Sequence, residues 1–405
     1  MTSETLPIPL APFDQAPRTR LVFGNGTLDR LGELARETGG SRIFLVTDRG
    51  IVAAGHVERA CASLRRAGLE VTVFADVHEN PTTADVAGCL AAAQAFRADL
   101  LVGLGGGSSM DTAKGTNFLL TNGGRIQDYW GVGKATKPLL PLIAIPTTAG
   151  TGSECQSAAL IADETTHQKM ACLDPKAAAR IAVLDPELTV SQPPRVTAMT
   201  GIDALAHAVE TAVTTKRNAV SAMYSRSAFR LLVPALPRVL TNPRDLDARG
   251  RMLLGAAFAG LAIESSMLGA AHSAANPLTA DFGVVHGAAV GLMLPLVIRV
   301  NAAGSDAARH AYAELASVTE IASLENGLDV CVAALVVRIE TLLNLAGIPR
   351  SLAEAGVDAA RIPQLAAEAA RQWTVNFNPR PLTADDFVAL YTAANIPRGN
   401  GDAVK

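Results

Sequence analysis

The strongest constraint on this chain lies between residues 42 and 145, where short apolar runs alternate with helical patterns. Arg42-Ile-Phe-Leu-Val-Thr-Asp48 is the first such run, apolar at successive positions and so apolar on both faces of a strand. Glu70–Ala75, Asp99–Leu104 and Pro141–Ile145 repeat the pattern. Between them, His56–Ala67, Thr83–Phe96 and the stretch from Ser109 onward read as helices. Two-faced apolar strands separated by helices predict a parallel sheet covered on both sides, an α/β fold. Arg20–Gly24 adds a strand before a Gly-Asn-Gly turn, and Leu28–Thr38 a short helix closing at Gly39-Gly40. Residues 1–18, with Pro7, Pro9, Pro12 and Pro17, read as an irregular lead.

After Val183-Leu-Asp-Pro186 the pattern changes, and from about Pro194 nearly every segment reads as helix. The expected helices are Thr200–Val213, Asn218–Leu240 (broken near Pro234 and Pro237), Asp245–Leu268, His286–Arg299, Ala307–Ser323, Cys331–Ala346, Ser351–Ala355, Ile362–Val375 and Thr383–Ala394. The Ser191-Gln-Pro-Pro194 turn marks the boundary. It divides an α/β domain over residues 1–190 from an all-helical domain over residues 191–405.

Hydrophobic residues make up 49% and charged residues 18%, which places the chain among globular proteins and not disordered ones. Aromatics are only 4%, so alanine, leucine and valine must fill the core. The net charge of -3 and the lack of a basic run give no electrostatic case for nucleic acid. Met1-Thr-Ser-Glu-Thr-Leu-Pro7 has no basic segment followed by an apolar run, so no signal peptide is expected. The apolar stretches Leu139–Ile145 and Val290–Ile298 are short and interrupted by proline, so no membrane span is expected. The cysteines (Cys61, Cys89, Cys155, Cys172, Cys331) are odd in number, scattered and without a CxxC pair. Free thiols in a reducing, cytoplasmic setting follow as the expectation.

Three stretches carry chemistry. In Thr200-Gly-Ile-Asp203-Ala-Leu-Ala-His207-Ala-Val-Glu210, Asp203 and His207 lie one helical turn apart, with Thr200 able to cap the start. His272 and His286 sit in apolar, small-residue surroundings. One carboxylate and three imidazoles suit a divalent transition metal. On the structural reading, Asp203 instead complements the helix dipole and each histidine is a bonded core residue. Glu210, nearly one more turn along, is either a partner holding a ligand or a surface acid.

Gly103-Leu-Gly105-Gly106-Gly107-Ser108-Ser109 follows a buried strand and opens a helix, where backbone N–H groups and the helix field suit a phosphate. Its spacing departs from the usual dinucleotide fingerprint, and a tight turn without ligand fits as well. Pro146-Thr147-Thr148-Ala-Gly150-Thr151-Gly152-Ser153-Glu154 is a second polar loop at a strand end, suited to a nucleotide crevice or to solvent. Asp48, after the first central strand, suits a ribose and would repel a 2′-phosphate, favouring NAD over NADP; it is also an ordinary turn residue.

Together Gly105-Gly-Gly-Ser-Ser-Met-Asp111-Thr-Ala-Lys114, Pro146–Glu154, Gly201–Glu210, His286-Gly287 and Asn378-Pro-Arg-Pro-Leu382 closely resemble the iron-containing (group III) alcohol dehydrogenases. The resemblance runs from about Phe23 to about residue 395. It implies a Rossmann-like nucleotide domain followed by an all-helical metal-binding domain, the architecture shared with dehydroquinate synthase, with the site in the cleft between them. It implies Asp203, His207, His272 and His286 as metal ligands, Gly106, Gly107 and Ser108 as the pyrophosphate loop, and Asp48 near the adenosine ribose. Asn80, Thr147, Thr148 and Thr151 match further nucleotide contacts, and Lys169 matches the lysine near the nicotinamide ribose. The cofactors so implied are NAD, with NADP as the variant, and Fe(II), with Zn(II) as the alternative.

The activity implied is hydride transfer between a small alcohol or hydroxy acid and the nicotinamide, in a homodimer or larger homo-oligomer. The chain departs from well-known members at Asn276, where they carry a second histidine of a His-x-x-x-His pair read as a proton relay. Asn cannot titrate, so water and ribose hydroxyls take over the relay or the substrate differs; Asn276 can also donate a hydrogen bond to a polar substrate. A metal-free oxo-acid reductase of the maleylacetate reductase type, a dehydroquinate synthase-like lyase and a non-catalytic nucleotide-binding protein are the rival readings. The full Asp203/His207/His272/His286 set opposes the first, the shortage of basic residues around it opposes the second, and two nucleotide loops beside such a set oppose the third.

Overall fold

The computed structural model describes residues 11–165 and 168–397. Residues 11–18 of the expected lead carry no regular element, and the stretch before them lies outside the described residues. The chain divides into two compact units, one of Ala16–Gln192 and one running on from Pro193, which also takes in the described residues 11–15.

The first unit contains the strands β1 (Arg20–Phe23), β2 (Arg42–Val46), β3 (Glu70–Phe74), β4 (Leu100–Gly105), β5 (Gly131–Val132), β6 (Leu142–Pro146), β7 (Ala158–Ala162), β8 (Lys169–Leu173) and β9 (Ile181–Leu184). Its helices are α1 (Leu31–Glu37), α2 (Arg49–Ala53), α3 (His56–Arg66), α4 (Thr83–Phe96) and α5 (Gly107–Asn122). A six-stranded sheet has the order β1-β9-β6-β4-β2-β3, with every pairing parallel. Side-chain alternation sorts its residues between two cores. Ile43, Leu45, Val102 and Ile143 pack with Leu34, Ala60 and Leu64. Phe44, Val46, Leu101 and Ala144 pack with Cys89, Ala93, Met110 and Ala113. Burial on both faces is why these strands show as unbroken apolar runs.

Strand order reverses at β2. The chain goes from β2 outward to β3, then returns to place β4 on the other side of β2. Loops leaving the carboxyl ends of β2 and β4 therefore flank a switch point, the position at which open α/β sheets bind ligands. A second, three-stranded sheet of order β5-β8-β7 is not foreseen by the sequence pattern. Its strands are short, β7 is mostly alanine, and β7 and β8 pair antiparallel.

The second unit is helical: α6 (Pro194–Thr211), α7 (Ala219–Thr241), α8 (Leu246–Ser266), α9 (Ala270–Phe282), α10 (His286–Gly304), α11 (Asp306–Val318), α12 (Leu328–Leu345), α13 (Ile362–Ala369) and α14 (Ala384–Ala394). Five expectations change. α6 begins at Pro194, a residue suited to a first turn, so Thr200 is internal and bonds back to the Val196 carbonyl at 2.8 Å. α7 runs unbroken through Pro234 and Pro237. The Val233 carbonyl, which Pro237 deprives of its backbone donor, accepts from Arg338 Nη2 at 3.5 Å. Ser351–Ala355 forms turns, and the expected helix Ile362–Val375 stops at Ala369, before a 3-10 turn over Trp373–Phe377. α9 was not expected at all, and it carries His272. α10 is long and apolar enough to cross a membrane, yet most of it is buried among its neighbours as a core helix.

Close approach of α10 to α6 depends on Gly287. A Cβ there would fall on the Met199 carbonyl, inside van der Waals contact. Gly287→Ala is expected to lower stability by about 1–3 kcal/mol or more, read as a fall in Tm. Gly88→Ala, in the exposed interior of α4 with nothing near its Cβ, is the control and is expected to raise stability by about 0.5–1 kcal/mol.

Candidate functional site

In the α/β unit, Gly105 ends β4 with φ +149°, a backbone that favours glycine. A Cβ there would strike Ser109 Oγ and lie 3.4 Å from Asp48 Oδ2. Gly106 opens α5 without a side-chain cap, so the first N–H groups of a 16-residue helix are left to a ligand or solvent. Ser108 stands in that first turn. Added Cβ atoms at Gly106 and Gly107 would meet Thr148 Oγ1 at 3.6 Å and Thr151 Cγ2 at 2.9 Å. The glycine loop and the threonine loop therefore interlock. Their strands are neighbours, with Gly105 opposite Pro146, and Thr147 N donates to the Gly105 carbonyl at 2.9 Å.

Asp48 does two things here. Its Oδ1 accepts from Ile51 N at 3.1 Å and caps α2, while Oδ2 is turned toward the glycine loop. Asp48, Gly106, Gly107, Ser108, Thr147, Thr148 and Thr151 are thus gathered at the switch point. Asn80 and Lys169 are placed together at one end of the smaller sheet, and the charge of Lys169 reaches Asp111 on α5. Pro81 O accepts from Ala162 N at 2.8 Å, and Ala162 pairs with Lys169 at the start of β8. Asn80 holds φ +53°, a left-handed backbone that asparagine tolerates.

Behind the two loops lies a buried polar staple whose role the motif alone does not disclose. Lys114 Nζ, on α5, donates to Ser153 O at 2.6 Å, Ser153 Oγ at 2.9 Å and Ala158 O at 2.9 Å. Ser153 Oγ in turn donates to Asp111 Oδ1 at 2.8 Å. The second loop is so fixed to the helix that carries the first. Glu154 beside it is 1% exposed, and neither carboxyl oxygen has a hydrogen-bond partner among the described residues. Burial pushes its pKa from 4.5 up to about 7, against its own backbone N–H and Lys114.

In the helical unit, three helices bring four side chains together. Asp203 and His207 stand one turn apart on α6, His272 lies in the first turn of α9, and His286 begins α10. Asp203 Oδ1 lies 3.4 Å from His207 Nε2, 3.4 Å from His272 Nε2 and 3.8 Å from His286 Nε2. The rings of His207 and His272 stack at 4.8 Å. Asp203, His207 and His272 are buried, and His286 is one-third exposed. The ligand atoms of Asp203, His207 and His272 lie within 4.8 Å of one another.

These residues fit a metal ion. Asp203 Oδ1 and His272 Nε2 are buried and make no hydrogen bond among the described residues. Ligand bonds of about 2.0–2.1 Å around a tetrahedral ion separate neighbouring ligand atoms by roughly 3.4 Å, the spacing observed. Electrostatics agree. Burial opposes charge on Asp203, but His207, His272 and His286 outweigh it and hold the carboxyl well below its usual range. Burial likewise opposes charge on His272, while Glu210 and Asp203 outweigh it and raise the imidazole to about 9. A divalent cation would meet the same demand as those protons.

Glu210 is a buried partner and not a surface acid. Its Oε2 is hydrogen-bonded to His272 Nδ1, and its Oε1 accepts from Ala271 N at 2.7 Å. A carboxylate on Nδ1 leaves Nε2 to face the ion. Asn276, one turn beyond His272, is half-buried and donates through Nδ2 to Gln372 Oε1 at 3.0 Å. Asn378, from the late Asn-Pro-Arg motif, is also buried here and accepts from Ala270 N at 3.2 Å.

A family model described as iron-containing alcohol dehydrogenase matches residues 17–186, and its C-terminal companion, Fe-containing alcohol dehydrogenase family, matches residues 197–395. The NAD-dependent methanol dehydrogenase of Bacillus methanolicus is 33% identical over 371 residues, 91% of this chain and 96% of that protein. A solved 1,3-propanediol oxidoreductase superposes with TM-score 0.91 at 30% identity, covering 95% of this chain and 100% of its own. Sulfoacetaldehyde reductase from Bifidobacterium kashiwanohense, solved in complex with NAD+, gives TM-score 0.84 at 28% identity, over 95% of this chain and 99% of its own.

Glu154 generates a pH dependence. Its folded pKa lies above the unfolded value, so its contribution is full below about pH 4.5 and is lost as pH rises through about 7. The loss is about 3 kcal/mol. Glu154→Gln removes it, so the Tm difference, variant minus wild type, is expected to grow between about pH 5 and pH 8. A difference that stays constant across that range would show that Glu154 is not the titrating group.

Proposed function

The chain belongs to the iron-containing alcohol dehydrogenase family, and from that premise we propose that it is a metal-dependent, NAD-linked alcohol dehydrogenase working on small alcohols and aldehydes. The observation that carries this reading is the convergence of His207, His272 and His286 on one oxygen of Asp203. Bound there, Fe(II), or Zn(II) in its place, supplies a Lewis acid for the substrate oxygen, and the bound nicotinamide supplies the hydride carrier. Iron is favoured because it accepts a fifth oxygen ligand readily and because the family is named for it.

The chain's own residues do the rest. Asp203, His207, His272 and His286 hold the ion, with Glu210 fixing the tautomer of His272. Gly106, Gly107 and Ser108 receive the pyrophosphate at the start of α5, and Thr147, Thr148 and Thr151 form the facing wall. Asp48 accepts from the adenosine ribose and disfavours a 2′-phosphate. Asn80 and Lys169 serve the nucleotide from one end of the smaller sheet, where β7 finishes and β8 starts. Asn276 cannot carry a proton, so water and the hydroxyls that a bound nucleotide's ribose would supply would have to serve that role, and the Asn276 amide would orient a polar substrate instead. Methanol, 1,3-propanediol and sulfoacetaldehyde in the relatives' names support an alcohol or aldehyde substrate, and a long-chain-alcohol dehydrogenase of Geobacillus thermodenitrificans, 34% identical, extends that class to longer chains. Buried cysteines that form no disulfide among the described residues support a reducing compartment. β1 ends one edge of the sheet at the half-exposed Phe23, which supports assembly into a homo-oligomer.

The test is NADH oxidation with a panel of small aldehydes and oxo-acids, on protein stripped of metal and reloaded with Fe(II) or Zn(II). Activity is expected to vanish on stripping and return on loading, and His272→Ala is expected to lose bound metal and turnover together. Activity that persists in protein verified metal-free would remove the metal role and point to the metal-free reductase. Asp48→Asn keeps the helix cap and removes the charge, so kcat/KM for NADP is expected to rise at least about tenfold relative to NAD.

A further inference from the structure

We infer that the segment Gln372–Asn378 is a strap that sets the position of the α9 helix, and that Asn378 is a positioning residue for the metal centre. The inference rests on the metal reading above. Three side-chain hydrogen bonds join the strap to α9 in succession. Asn378 Oδ1 accepts from Ala270 N at 3.2 Å, Thr374 Oγ1 meets Ser273 Oγ at 2.8 Å, and Gln372 Oε1 accepts from Asn276 Nδ2 at 3.0 Å. Residues 270, 273 and 276 are three apart and share one side of the helix, and His272 projects from the adjoining side.

The first turn of α9 has no cap of its own, since Gly269 offers no side chain. Its leading N–H groups are taken by residues distant in the chain: Ala270 N by Asn378 and Ala271 N by Glu210. A Cβ at Gly269 would lie 3.0 Å from Asn378 Oδ1 and 3.2 Å from Glu210 Oε1, so glycine lets both acceptors approach. His272 belongs to this same turn.

Asn378 is itself held. Its amide exchanges two hydrogen bonds with the Asn301 amide, at 3.0 and 2.7 Å, and donates to the Arg380 carbonyl at 2.7 Å. Asn301 belongs to α10, the helix that begins with His286. One buried amide thereby connects the start of the His272 helix to the body of the His286 helix, while Glu210 connects the same turn to α6. Relative placement of the ligand helices is the property at stake, beyond fold stability. A residue that stabilises only the fold would lower Tm and leave the folded site's ligand geometry alone.

The experiment titrates cobalt(II) into metal-free wild type, Asn378→Ala, Thr374→Val and Asp203→Ala, with far-UV circular dichroism confirming the fold. The readouts are the cobalt ligand-field spectrum and the affinity from chelator competition. Asn378→Ala is expected to bind cobalt roughly 10- to 100-fold more weakly, with displaced bands and unchanged circular dichroism. Thr374→Val is expected to shift both readouts in the same direction by less. A folded Asn378→Ala with wild-type affinity and spectrum overturns the inference. Where Asn378→Ala does not fold, wild-type behaviour of Thr374→Val overturns it. Cobalt binding that is absent in wild type, or unchanged in Asp203→Ala, overturns the metal reading itself, and the strap's role falls with it.

Discussion

One carboxylate oxygen, Asp203 Oδ1, organises the helical unit. Three imidazoles from three helices face it at 3.4 to 3.8 Å in buried surroundings. Each polar group there would be costly alone, because burial strips it of water. Together they are tolerable only with charge exchanged among them or with a cation in their midst. Meeting that condition constrains the packing. α6 has to sit close to its neighbours, and it does so through glycine. Gly201 leaves room for Leu236 of α7, and Gly287 lets α10 lie against the backbone at Met199. A core poor in aromatics and rich in alanine serves the same end, since small side chains let helix backbones come near.

The α/β unit solves a different problem. Parallel strands buried on both faces free their carboxyl-terminal loops for binding, and the reversal of strand order at β2 opens the gap between two of those loops. Holding the loops still is the task of groups below the surface. Lys114 gives all three of its donors to the second loop and to β7, so the polar floor is built from α5 itself. The cost is a crowded interior, with Asp111 and Glu154 both pushed toward their neutral forms by burial.

Much of this was legible in the residues. Strands such as Ile43–Val46 announce themselves because both faces are apolar, and the Gly105–Ser109 and Thr147–Thr151 loops follow strands whose ends they terminate. Asp203 and His207 are recognisable because helical spacing is local. What escaped reading depends on distant partners. Ala158–Ala162 and Lys169–Leu173 become strands by pairing with each other, since both are short and their alanines favour strands poorly. α9 contains Pro277 and starts without a cap residue, so local signals spoke against a helix. Its first turn is completed by Glu210 and Asn378, 61 and 108 residues away in sequence. For Asn218–Leu240 local rules misled in the opposite direction, because a remote arginine helps a proline-bearing helix continue.

The apolar character of α10 has a bearing on how the chain is made. A segment of that length and hydropathy, emerging from the ribosome alone, invites capture by membranes or by other nascent chains. Its order in the chain limits the exposure. α6 and α9, two of the helices that cover it, are synthesised before it, so a partial cradle already exists when it appears. Only the faces that later meet α11, α12 and α14 must wait for the rest of the helical unit. Moving this helix to the front of the unit by circular permutation would keep every native contact and still leave it uncovered for longer during synthesis.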